Sequence, residues 1–265
     1  MSHTAHAHDH DHGQVEILDL DAEVLAEHTA AIVGWLPVTE VRQIVDLGAG
    51  TGAGTFALLD RFPDARVTAV DSSPEHLHRL REKADDRVRI IEADLDTTWP
   101  DLGTPDLVWA SAAMHHMADP DRTLRQVHDL LAPGGLFAVV ELAGFPRFLP
   151  ETDLEDRWHA ASDRHHADRV PHRGADWGPK LTAAGFTIEG ERTISVNMPQ
   201  DGSATIARYA FNGLRRLRMS AAEALSGADL TALDQLLDTD GPHSILRRND
   251  LVVRTERSVW AARRG

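Results

Sequence analysis

An apolar run enters a glycine-rich turn at Ile44-Val45-Asp46-Leu47-Gly48-Ala49-Gly50-Thr51-Gly52, and helix-forming residues follow at once. Glycine permits the sharp backbone reversal and lets a ligand approach the amides at the start of the helix. The run is the first of five strand candidates, Gln43 to Leu47, Arg66 to Val70, Val88 to Ala93, Leu107 to Ala110 and Leu136 to Glu141. Helical segments separate them at Thr55 to Arg61, Pro74 to Lys83 and Pro120 to Leu131, with Pro74 placed for a first helical position behind a Ser72 or Ser73 cap. Strands alternating with helices at this spacing specify β-α-β units and a doubly wound parallel α/β sheet.

The flanks are less regular. Residues 1–20 read as a disordered tail rich in histidine (His3, His6, His8, His10, His12), solvated or binding a soft divalent metal, and Ala22 to Leu36 as one helix stopped by Pro37. After the fifth strand, 144–172 reads as a loop plus a helical segment. Trp177 to Ala184 reads as a helix and Phe186 to Met198 as a strand. Thr205 to Leu217 is an amphipathic helix, Ser220 with Glu223 makes a capping-box pattern for the next one, and Leu251 to Ala261 closes the chain as a strand. The expected division is thus a single domain over 21–265, with its core at 41–142, 177–198 and 250–262. Helical cap elements are expected at 144–172 and 203–243, and within the second Thr205 to Leu237 reads as a mobile lid at the mouth of the sheet, with extra packing or a dimer surface as the alternative.

Composition narrows the chemistry. The formal net charge of −15 repels phosphate backbones and anionic lipid, so nucleic acid and membrane are poor partners and a small-molecule substrate is expected. With no cysteine there is no disulfide, thiolate metal site or cysteine nucleophile, and with Lys83 and Lys180 as the only lysines a Schiff base has little support. No run approaches the ~18 apolar residues of a membrane span, and the polar start of the chain lacks the apolar core of a signal peptide. A cytoplasmic protein, as monomer or homodimer, is the expectation.

The glycine loop alone is ambiguous, because Gly48-x-Gly50-x-x-Ala53 also satisfies a dinucleotide fingerprint and Asp71 lies at the distance of a ribose-binding acid. Asp46 in the strand would repel a pyrophosphate yet is suited to organise the loop or receive a cationic amine. Asp94 adds a second carboxylate at the same sheet edge as Asp71, and no arginine or lysine stands in the loop. Those features favour a cationic nucleoside. The five segments Val45 to Gly52, Ala69-Val70-Asp71-Ser72-Ser73, Glu92-Ala93-Asp94-Leu95, Pro105 to Trp109 and Leu131-Ala132-Pro133-Gly134-Gly135 resemble, in order and spacing, the motifs of the class I methyltransferases that use S-adenosylmethionine (SAM). The resemblance covers about Val41 to Glu141, and Ala184-Gly185-Phe186 extends it. It implies a mostly parallel, seven-stranded sheet with an antiparallel last strand, and SAM as the cofactor. Gly48, Ala49, Gly50 and Gly52 would then pack against its methionine part near Asp46. Asp71 with Ser72 would take the ribose, Asp94 and Leu95 the adenine, and Ala110 and Ser111 would lie near the sulfonium.

Methyl transfer needs an aligned acceptor more than a protein nucleophile. Where the acceptor must lose a proton, histidine suits the task, and His115 and His116 follow the fourth strand on the loop that in this family faces the methyl group. Phe145, Phe148 and His166 are the substrate-binding candidates and Glu141 a weaker one, whereas His159, His165 and His172 read as solvated. Methyl transfer from SAM to an oxygen, nitrogen or carbon atom of a small molecule, such as a natural-product intermediate in biosynthesis, is the leading expectation. The alternatives are SAM or nucleoside binding without methyl transfer, and a nicotinamide-dependent oxidoreductase.

Overall fold

The computed structural model describes residues 3–167, 170 and 172–265; of 3–12, Thr152 and His166 only the backbone is described. The strands are β1 (Gln43–Leu47), β2 (Arg66–Asp71), β3 (Val88–Glu92), β4 (Leu107–Ser111), β5 (Leu136–Leu142), β6 (Phe186–Pro199) and β7 (Val252–Arg264). They form one seven-stranded sheet in the order β3-β2-β1-β4-β5-β7-β6. β1 to β5 pair in parallel, and β7 runs antiparallel to β5, with Val139 opposite Trp260. The strand order reverses at β1, between β2 and β4, and ligands in such sheets bind beyond the carboxyl ends of the strands at that switch.

Strand periodicity builds the two core layers. Val45, Leu47, Val108, Ala110, Phe137 and Val139 face one side, packed with Leu124 and Val127 of α5 (Pro120–Leu130) and Leu181 of α7 (Gly178–Ala183). Ile44, Leu107, Trp109, Leu136 and Ala138 face the other, against Ile32 and Val33 of α2 (Ala26–Trp35) and Leu58 and Leu59 of α3 (Ala53–Arg61). Covered on both faces, the central strands are largely apolar, Asp46 of β1 excepted, which is why they read as apolar runs. Helix α4 (Pro74–Arg81) starts as its sequence specifies, with the Ser73 hydroxyl accepting the His76 amide and proline first in the helix. Asp119 and Pro120 open α5 in the same way.

Three local expectations are corrected. Of the segment taken as a tail, residues 1–20, the described part belongs to a helix, α1 (His3–Val24), in which Leu20 is buried and Asp19 pairs with Arg79 of α4 and with Lys83 just past its end. The helix expected over 22–36 is therefore the end of α1 and all of α2, broken at Leu25. Ser220 does not open a helix; it ends α8 (Ala204–Ser220), and α9 (Gly227–Leu237) is capped by Ser226, whose hydroxyl accepts the Asp229 amide. The Ser226/Asp229 pair has the same three-residue spacing, and the chain between Ala221 and Leu225 closes only a turn.

Backbone contacts divide the chain into two units, one of Met1–Ala143, His172–Ile194 and Arg257–Gly265, the other of Gly144–Pro171 and Ser195–Glu256. The second unit holds α6 (Thr152–His166), α8 and α9. In it the buried Glu155 carboxylate accepts the amides of Phe148 and Leu149, and the Trp158 indole donates to Asp229. His159, expected in solvent, is buried there; burial, with the Arg147 guanidinium adding, pushes its imidazole down to about 4, so it stays neutral.

Candidate active site

The glycine loop leaves β1 through three residues in the left-handed region, Gly48 (φ 69°), Gly50 (φ 56°) and Gly52 (φ 99°). The amides of Gly48 and Ala49 donate to the Val70 carbonyl at 2.8 and 3.0 Å, which binds the turn to the end of β2. A Cβ on Gly48 would lie 2.5 Å from that of Ala113, so glycine is also what admits the loop after β4. On that loop Ala112 is held at φ 51°, its amide bonded to the Val140 carbonyl, a costly conformation for alanine of the kind that collects at functional sites.

Asp71 ends β2 and ties three segments together. Its Oδ2 accepts the Gly50 amide at 2.8 Å and its Oδ1 the Ser73 amide at 2.9 Å, with His76 Nδ1 at 3.3 Å. Burial pushes this carboxyl up, but the hydrogen bonds from His76, Ser73 and Gly50 outweigh it and hold Asp71 below the ordinary carboxylate range. Asp94 lies just past β3, beside β2 in the sheet, and is exposed. Its side chain accepts the Asp96 amide, Leu95 next to it is buried, and Ser72 is exposed. Ala110 pairs in register with Leu47, so the end of β4, with Ser111, abuts the start of the glycine loop. The strand ends thus bring Gly48, Ala49, Gly50, Gly52, Asp71, Ser72, Asp94, Leu95, Ala110 and Ser111 to one edge of the sheet.

Asp46 is placed differently. It shares a face with Ile44, opposite Trp109 in register, is 1% exposed, and its Oδ2 accepts the Thr55 hydroxyl at 2.6 Å. Burial pushes its carboxyl up to about 7, against the Thr55 hydrogen bond and with the Asp71 charge adding to the rise. The folded protein therefore keeps a proton on Asp46 that the unfolded chain gives up near pH 3.9, and the stability this supplies is lost as pH rises through about 7. Asp46→Asn, which keeps an acceptor for Thr55, should remove that loss. Between pH 5 and pH 8 the native protein should lose about 2–3 kcal/mol more than the variant in denaturant titrations. Parallel pH curves for the two proteins would reject a protonated Asp46.

His115 is buried, with Nδ1 2.6 Å from Glu141 Oε2, and its backbone amide donates to Glu141 Oε1 at 3.2 Å. His116 is exposed, its ring centroid 4.1 Å from that of His115. The substrate candidates fall in the second unit. Phe148, one of the substrate-binding candidates, is 1% exposed, packed edge-on against Tyr209 and close over Gly213. Phe145 is partly buried beside the Arg216 guanidinium, and the side chain of His166 lies outside the described residues.

One element at the loop was absent from the sequence reading. Leu18 Cδ1 lies 3.6 Å from where a Gly50 Cβ would stand, and Asp19 bonds Thr51 as well as Arg79 and Lys83, so α1 rests on the glycine loop. The apolar spacing of Val15, Ile17, Leu18 and Leu20 carries that signal, beneath a histidine-rich run that draws the eye first. The residues suit SAM. Two carboxylates at neighbouring strand ends offer acceptors for hydroxyls and an exocyclic amine, a buried leucine adjoins them, and no cation stands in the loop to meet a pyrophosphate.

A methyltransferase domain family matches residues 45–137. The trans-aconitate 2-methyltransferase of Paracidovorax citrulli is 34% identical over 78% of this chain and 82% of its own length. The chain belongs to the class I SAM-dependent methyltransferases. The enzyme of the same name from Variovorax paradoxus is 36% identical over 39% of this chain, a match that spans only 40% of that relative. Among solved structures, a cyclopropane synthase from Mycobacterium tuberculosis shares the fold, with a TM-score of 0.55 at 15% identity over 90% of this chain and 83% of that one. Family membership sets aside the nicotinamide reading of the glycine loop. No described helix is long and apolar enough to cross a membrane, and no described cluster of histidine and carboxylate side chains is arranged to hold a metal ion.

Proposed function

We propose that this methyltransferase moves the methyl group of SAM to a carboxylate oxygen of a small organic acid in the cytoplasm. The observation that carries the reading is the joining of the glycine loop to Asp71 through the 2.8 Å bond from Gly50, with Asp94 at the next strand end. In this reading Asp71 and Ser72 hold the ribose hydroxyls, Asp94 and Leu95 the adenine, and the 48–52 loop the methionine chain. Ala110, Ser111 and the loop after them border the reacting sulfur. When bound, SAM supplies an electrophilic methyl group for in-line displacement.

The acceptor class is supported from two sides. Both relatives compared above are trans-aconitate 2-methyltransferases by name, and trans-aconitate is a carboxylic acid. A carboxylate is already ionised at neutral pH and asks for alignment rather than a base. That fits His115, whose imidazole is buried against Glu141. The remaining role of the site is to align the acceptor oxygen behind the methyl group and to exclude water, and alignment of this kind supplies up to ~7–11 kcal/mol of a barrier. The test is transfer of label from methyl-labelled SAM to a panel of di- and tricarboxylic acids, aryl acids, phenols and amines. Label should enter the acids as an ester released by mild alkali. Label in phenols or amines alone would overturn the acceptor class, and no transfer at all would leave SAM binding without methylation as the function.

A further inference from the structure

The second unit contains a cleft of about 440 Å³ that the methyl-transfer reading does not use, between the start of α6, the end of α9 and the short turn Ile245–Arg247. Its volume lies within the ~300–1,000 Å³ range of small-molecule sites. Its lining includes the apolar Leu149, Leu154 and Leu236, and three of its polar residues, His243, Ser244 and Arg247, lie together in sequence.

Three of those side chains have unused bonding capacity. Ser244 is 1% exposed and its hydroxyl has no partner, although the residue stands at the cap position of the turn where serine ordinarily bonds an amide. A buried hydroxyl left unpaired is costly, and a ligand acceptor would relieve it. The Arg247 guanidinium reaches only the carbonyl oxygens of Thr239 and Asp240, both at 3.5 Å, and has no carboxylate partner among the described residues. His243 is exposed and likewise without one. Arg248, by contrast, is held by Asp250 through two 2.8 Å contacts and by Glu151 at 3.4 Å, so its charge is spent. Among the described residues the cleft therefore offers a cation without a carboxylate partner, Arg247, and an unpaired hydroxyl, Ser244, together with apolar side chains; Glu151, 3.4 Å from an Arg248 that Asp250 already neutralises at 2.8 Å, leaves a net negative charge that disfavours a dianion.

We propose that this cleft binds a small monocarboxylic acid with an apolar body, its carboxylate on Arg247 and Ser244 and its hydrocarbon on Leu149, Leu154 and Leu236. The ligand is either an acceptor held by this unit or an acid that binds without reacting; the carboxylate chemistry is common to both. Because binding is read without SAM, the site stands or falls separately from the methyl-transfer reading.

Calorimetric titration of the full chain with octanoate and with phenylacetate tests it. At least one acid should bind saturably at micromolar to low millimolar concentration, whereas 1-octanol and the dianion suberate should bind at least tenfold more weakly. Arg247→Ala should weaken the acid at least tenfold, the scale of a charge-assisted hydrogen bond. Arg247→Lys should stay within about threefold of native. Glu151→Gln should tighten the acid, a direction no merely structural role of Glu151 would give. Incubation of the bound acid with labelled SAM then assigns the source, an ester marking an acceptor and an unchanged acid a non-reacting ligand. No binding of either acid, equal binding by Arg247→Ala, or equal binding of the alcohol would overturn the proposal.

Discussion

Asp71→Ala should weaken binding of SAM and of its demethylated product by about 100-fold or more in calorimetry. In the proposed assignment the carboxylate takes two ribose hydroxyls, and bonds to a charged acceptor contribute about 1.5–3 kcal/mol each. The variant loses more than those contacts, because Asp71 also accepts the amides of Gly50 and Ser73 and thereby fixes the glycine loop against the start of α4. Asp71→Asn separates the two effects: its amide oxygen still accepts one backbone donor, but its NH2 group faces the other, so affinity should fall less than in the alanine variant while the loop loosens. Asp94→Ala should cost about tenfold, since Asp94 is exposed and, among the described residues, its side chain bonds only the Asp96 amide. A folded Asp71→Ala protein with native affinity would remove Asp71 from the cofactor site, and with it the strongest reason to place SAM along this edge.

The features legible in the sequence are those written in adjacent residues. β1 through β5 fall within one or two residues of the positions expected from apolar runs, and the Ser73-Pro74 start of α4 follows from one cap and one fixed φ. Asp46 was readable in principle: strand alternation puts it on the face of Ile44, opposite Val45 and Leu47, and so into the layer under α3. Its nearness to the glycines in sequence carries no information on which face it takes. α1 was lost because five histidines in its first ten residues set the composition of the segment, while the apolar positions that dock it lie only in its second half. The Ser220/Glu223 pattern failed because Ser226 with Asp229 offers the same chemistry six residues later, where a helix follows. The pairing of Glu141 with His115 joins the end of β5 to the turn at Met114–His116 that follows β4, 26 residues apart in sequence, and the parallel register of β4 with β5 brings them together.

Glu141→Ala should be the most destabilising single change at this edge of the sheet. The carboxylate is 2% exposed, and its removal leaves the buried His115 ring nitrogen and the His115 amide without their acceptor. Breaking a buried pair from one side costs about 3–5 kcal/mol, several times the worth of an exposed ion pair. His115→Ala should destabilise comparably, since it strands the carboxylate instead, and the doubly substituted His115→Leu, Glu141→Leu protein should recover part of the loss, which a thermal melt would show. The same geometry bears on the chemical step. With His115 committed to Glu141, the exposed His116 is the imidazole of the pair that solvent or an acceptor reaches. A carboxylate acceptor needs no proton removed, so His116→Ala should keep the single-turnover rate within about threefold and leave its pH profile flat through neutrality. A fall of about 10²–10⁴ together with the loss of a titration near pH 6.5 would instead make His116 a general base. The acceptor would then be a hydroxyl or carbon acid, because only such a group has a proton for that base to take.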